Sequence, residues 1–127
     1  MSNKIRPVLK NLINSNTSNI ERFQNEVIRP IIKMQNNFLV VFFEDYLKNR
    51  KIEFYILKYE DQENKINTIL TKDIKFKNIL LGSIVGHFDD NEIKVYLKST
   101  SELNKRIIQI IKQRLLDNCI TQDEASW

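Results

Sequence analysis

The chain contains one cysteine, one histidine, two glycines and two prolines in 127 residues, and each shortage closes off a class of protein. A lone thiol, Cys119, cannot close an internal disulfide. A domain of this length buries roughly two thirds of its unfolded surface, which lets it fold without a covalent or metal staple. A lone imidazole, His87, excludes a multi-histidine metal site and a pair of histidines on one helix. So little glycine and proline leaves few of the tight turns that many short strands need, which favours helices joined by polar connectors. No apolar run approaches the roughly 20 residues that cross a bilayer, and no charged leader with an apolar segment and a cleavage site opens the chain, so a cytoplasmic address is expected. Charge of one sign is also scarce: 20 lysines and arginines stand against 16 acidic residues, a formal +4. The two signs are mingled, which favours solubility more than a polyanion partner.

What is present is helical spacing. Ile20, Phe23, Val27, Ile31, Met34, Phe38 and Phe42 step by three or four, which places them on one helix face. Phe38 to Phe43 is apolar on every side, so this part is expected to be enclosed, with 31–47 central to the fold. Pro30 removes a backbone donor and crowds the preceding turn, predicting a kink or break near Val27 to Arg29 and a resumed helix to about Lys48. The same apolar runs, Phe38 to Phe43 and the alternating Ile52, Phe54 and Ile56, also fit a pair of strands.

Upstream, Ile5, Val8, Leu9, Leu12 and Ile13 predict a short amphipathic helix, and NSNTSN over 14–19 predicts a loop. Downstream, an irregular connector over 49–58 is expected to pack Phe54 and Tyr55 on the core. Ile66, Ile69, Leu70, Ile74, Phe76, Leu80 and Ile84 then fit either one long helix or two, with a break near Asp73. Ser18 with Glu21, Asp89 with Glu92, and Ser99 with Glu102 have the spacing of capping boxes. The last opens a helix whose apolar stripe is Leu103, Ile107, Ile110, Ile111 and Leu115, with Lys105, Lys112 and Gln113 toward water. The expectation is a single all-α domain over 1–127, a bundle of five or six helices with a frayed tail over 121–127.

Chemistry is thinly represented. His87 beside Asp89 and Asp90 fits a helix-end contact, and Cys119 between Asp117 and Asp123 lacks the cation that a reactive thiolate needs. Neighbouring carboxylates such as Glu44 and Asp45 diverge on a helix and make a poor cooperating pair. Gly82 and Gly86 share a helix face, which suggests a close helix crossing. GSIVG lacks the Gly-Lys-Ser/Thr ending of a phosphate loop. Basic residues group at Lys48, Arg50 and Lys51, at Lys72, Lys75 and Lys77, and at Lys105, Arg106, Lys112 and Arg114. Ion pairs from Asp73 to Lys77 and from Glu102 to Arg106 fit the helical spacing of part of this charge.

The blocks FQNEVIRPIIKMQN (Phe23 to Asn36), DIKFKNILLGSIVGHF (Asp73 to Phe88) and LNKRI (Leu103 to Ile107) resemble a group of small uncharacterised bacterial proteins that carry them in the same order. Some of those proteins are labelled glyoxalase. The vicinal-oxygen-chelate glyoxalases use βαβββ modules and a metal held by His and Glu, and this chain has one His and helical periods, so no catalytic residue is carried over.

No catalytic, metal-binding or cofactor-binding residues are assigned, and no cofactor is expected. The surplus of apolar residues favours a non-enzymatic protein-interaction module that binds a second copy of itself or another protein, through Phe38, Phe42, Phe43, Ile107 and Ile111. The alternative is nucleic-acid binding directed at the backbone through Lys48, Arg50, Lys51, Lys105 and Arg106. No membrane partner is expected.

Overall fold

Leu103, Ile107, Ile111 and Leu115 recur at every fourth position, and all four are buried in the computed structural model, which describes the backbone over residues 19–125 and side chains over 19–118. The elements are α1 (Asn19–Phe23), a π turn (Gln24–Ile28), α2 (Arg29–Met34), α3 (Asn36–Asn49), α4 (Tyr59–Lys72), α5 (Ile74–Val85), α6 (Asp90–Lys98) and α7 (Thr100–Ala125). The fold is all-α, and no strand occurs among the described residues. α7 is the axis: the π turn, α2, α3, α4, α5 and α6 all pack against it. Its buried stripe meets Ile31 and Ile32 of α2, Leu39, Phe43 and Leu47 of α3, Ile66 and Leu70 of α4, and Leu80 and Ile84 of α5 in one continuous core. Each such side chain contributes roughly 1.5–3 kcal/mol relative to exposure.

Pro30 is accommodated differently from the expected kink. The Arg29 amide reaches back five residues to the Gln24 carbonyl, so the turn before the proline widens and the chain stays helical through it. The break comes at Gln35 (φ −92°, ψ 10°), whose buried side chain donates from Nε2 to the Ser83 carbonyl at 3.2 Å and ties the α2–α3 joint to α5.

Several expectations are corrected. Phe38 to Phe43 is not enclosed: Leu39 and Phe43 are buried, but Val41 is 66% exposed, because α3 lies on the outside of the bundle and presents only one flank to α7. The strand pairing fails for the same segment, which is helical throughout, and 52–58 is irregular. Phe54 does pack into the core, edge-on to Phe43 at 5.3 Å, and its carbonyl accepts from the buried Gln62 amide at 3.2 Å. Tyr55 sits outside it and is exposed. α4 and α5 are separate helices, broken at Asp73, which caps α5 through the Phe76 amide at 3.0 Å.

The Asp89–Glu92 capping box forms in both directions, at 2.8 and 2.9 Å. Glu102 instead turns away from the helix start to Arg106 at 3.1 Å, so the box expected with Ser99 is lost to an ion pair one turn on. The backbone is helical to Ala125. The helix expected over 5–13, most of the NSNTSN loop, Ser18 of the first capping box and the Cys119 side chain lie outside the described residues.

Gly82 and Gly86 make no helix crossing. Both are exposed, and a Cβ at Gly82 meets nothing within 4 Å. Gly82 lies inside α5, so Gly82→Ala is expected to raise stability by roughly 0.5–1 kcal/mol through lost unfolded-state entropy, read as a higher urea midpoint.

Candidate functional site

The side of α7 opposite its core stripe carries Ser101, Lys105, Gln109 and Gln113, all exposed. These residues are among those lining an open trough of about 1160 Å³. Gln24 of the π turn and Arg29 of α2 stand on one side, and Asn67, Leu70 and Thr71 of α4 with Lys77 of α5 stand on the other. Two contacts tie α7 to the elements beside it. Arg106 donates from Nη1 to Gln24 Oε1 at 2.9 Å and from Nε to Glu102 at 3.1 Å, and Lys112 Nζ lies 4.0 Å from Glu63 of α4.

The trough is strongly one-signed. Six cations line it (Arg29, Lys77, Lys105, Arg106, Lys112 and Arg114) against two carboxylates, Glu102 and Asp117. That surplus equals the formal +4 of the whole chain, so the mingled charge of the linear sequence becomes segregated on one face. Glu102 is paired with Arg106, and Asp117 accepts from Gln113 at 2.9 Å. Among the described residues, Lys77, Lys105 and Arg114 have no ion pair. Lys77 is free because its expected partner, Asp73, binds Arg50 instead. No aromatic residue lines the trough among the described residues.

Of the residues expected to contact nucleic acid, the structure places Lys105 and Arg106 in the trough. Lys48, Arg50 and Lys51 lie at the far end of α3 and do not line it. Arg50 is engaged locally: its guanidinium lies 3.8 Å from the Tyr46 ring centroid and 3.3 Å from Asp73 Oδ2. Lys51 adopts φ 55°, the left-handed position after a helix that glycine usually takes. Arg29 and the amide side chains of Gln24 and Asn67 were missed, since nothing in their spacing links them to α7, and Asn104 and Gln109 were missed because they are uncharged positions on α7 itself.

The expected interaction residues also divide. Phe43, Ile107 and Ile111 are buried in the core and present no surface to a partner, while Ile110 of the expected α7 stripe is half-buried and lines the trough. Phe38 and Phe42 are half-buried and continue a ring stack onto Phe76 of α5, at 5.4 and 5.3 Å. Beside that stack Tyr46 donates to Asp73 Oδ2 at 2.9 Å.

The Asp73 carboxyl is held below its ordinary value, first by the Phe76 amide and then by the Tyr46 hydroxyl, with Arg50 and Lys75 adding attraction. The Tyr46 hydroxyl is pushed up, first by burial and then by its bond to Asp73. Because the Asp73 pKa is lower in the folded state, its stabilising contribution is complete above the ordinary value of 3.8 and is lost as pH falls through the folded value. For Tyr46 the sign reverses: its contribution is complete below 10.0 and is lost as pH rises through the higher folded value. Asp73→Asn is therefore expected to lower the urea midpoint at neutral pH, with the gap to the wild type closing as both are taken to acid below pH 3.8.

Among the described residues no three His, Cys, Asp or Glu side chains come together as a metal site. No helix among them is long and apolar enough to cross a membrane. No known protein family, curated protein or solved structure matches the chain, so the trough is interpreted from its own geometry.

Proposed function

We propose that the protein binds the phosphate backbone of a nucleic acid in the α7 trough, without reading its base sequence. The observation that carries this reading is the segregation of six cations against two already engaged carboxylates in one open concavity. Cationic side chains that neutralise phosphates release condensed counterions, and that release supplies the affinity. Lys105 and Lys112 are seven residues apart, about 10 Å along the same side of α7, so the charge is extended and suits a linear polyanion. The volume also exceeds the roughly 300–1,000 Å³ of ordinary small-molecule pockets. The absence of aromatic lining removes the usual platform for stacking bases, which makes the recognition backbone-directed.

The test is fluorescence anisotropy with labelled single-stranded oligonucleotides of different sequence. Four phosphate contacts, one for each of Arg29, Lys77, Lys105 and Arg114, give a log–log salt slope of about −3 on a single strand, or roughly 50-fold weaker binding between 50 and 200 mM salt. Similar affinity across sequences with that slope supports the reading. No binding at low salt overturns it.

A further inference from the structure

Two side-chain contacts fix the direction in which the chain enters the bundle. Arg106 meets Gln24 at 2.9 Å and Asn118 meets Asn36 at 3.2 Å. Both pairs are 82 positions apart, so the segment from the π turn to the start of α3 runs parallel to α7. Asn19, five positions before Gln24, is therefore level with Ser101, which lines the trough near the start of α7. Gln24 lines the trough as well, about 7 Å along the helix axis from Asn19. Whatever precedes Asn19 joins the bundle at that end of the trough.

Residues 1–18 hold Lys4, Arg6 and Lys10 and no acid, the first acid in the chain being Glu21. With these three set aside, 17 of the 20 cations remain against all 16 acids, so most of the formal +4 of the chain lies ahead of Asn19. The opposite end of α7 differs in sign: beyond Asp117 the sequence has Asp123 and Glu124 and no cation. A polyanion longer than the trough is thus attracted where it passes Ser101 and repelled where it passes Asp117. Lys10 is nine residues from Asn19, a reach of up to roughly 30 Å, which covers the exit of the trough beside Ser101. We infer that Lys4, Arg6 and Lys10 bind the phosphates of the strand where it leaves the trough at the Ser101 end, adding about three contacts to the four made in the trough. The inference rests on the backbone-binding reading of the trough and extends the bound length of the same strand. The competing destination for these cations is the protein's own acidic surface, and the same measurement separates the two.

The test is the salt dependence of binding to a labelled single-stranded oligonucleotide of about 20 nucleotides, measured by anisotropy on the full chain and on the triple variant Lys4→Gln, Arg6→Gln and Lys10→Gln. Four trough contacts alone give a log–log slope of about −3, and seven give about −5. The wild type is expected near −5 and the triple variant near −3, with affinity at 50 mM salt lower by about tenfold or more in the variant. Lys48→Gln with Lys51→Gln lowers the net charge away from both the trough and residues 1–18, and is expected to leave the slope near −5. The substitutions keep every apolar residue, and circular dichroism checks that the fold is intact. A triple variant with the slope and affinity of the wild type overturns the inference and leaves the trough reading standing, as it would if the three cations lie on the acidic surface. A wild type that does not bind at low salt overturns both.

Discussion

A chain carrying glutamate at both Lys105 and Arg114 is expected to bind nucleic acid more than about 100-fold more weakly than the wild type at 50 mM salt, with its fold intact. Neither side chain makes an ion pair among the described residues, so reversing them breaks no internal contact of that kind. Replacement by alanine separates loss of attraction from added repulsion: Lys105→Ala with Arg114→Ala should reduce the salt slope by about two, one unit for each lost phosphate contact. The same change at Lys48 and Lys51, which carry charge but do not line the trough, should leave the slope unchanged. Anisotropy titrations at several salt concentrations measure all three.

The largest loss of stability is expected from Ile111→Ala. Ile111 is fully buried in the axial stripe of α7, among side chains drawn from several helices that cannot all close inward on the space left behind. Truncation of such a residue costs about 2–5 kcal/mol, a large part of the roughly 5–15 kcal/mol that holds an ordinary domain folded. The melting temperature should fall by roughly 6–20 °C, followed by circular dichroism. A fall of only a degree or two would mean that α7 is not the axis of the core. The expectation that Ile111 serves a partner predicts that smaller result, which makes the variant a direct comparison of the two roles.

Local features were the most legible in the sequence. The stripe of α7 was visible because its period and its burial agree at Leu103, Ile107, Ile111 and Leu115, with Ile110 half-buried beside them, and Asp89 with Glu92 forms the capping box its spacing predicts. Misreadings arose where a side chain had two available partners and only the fold decided between them. Glu102 could cap the helix start or pair with Arg106, and it pairs; Asp73 could hold Lys77 or Arg50, and it holds Arg50. The all-round apolar character of Phe38 to Phe43 suggested enclosure, but which flank of a helix is covered depends on what packs there. α3 faces α7 with Leu39, Phe43 and Leu47 and leaves Val41 outside. The trough was the least legible feature. Its cations come from positions 29, 77 and 105–114, and their convergence exists only once α2, α5 and α7 are assembled.

The central claim concerns where a polyanion sits, and amide chemical-shift mapping with an unlabelled single-stranded oligonucleotide tests that placement most directly. Binding in the trough should move the amides of α7 from Ser101 to Asp117 together with those of Gln24, Arg29 and Lys77, and the shifts should shrink as salt is raised. Shifts concentrated at Lys48, Arg50 and Lys51 with the α7 amides unmoved would contradict the account.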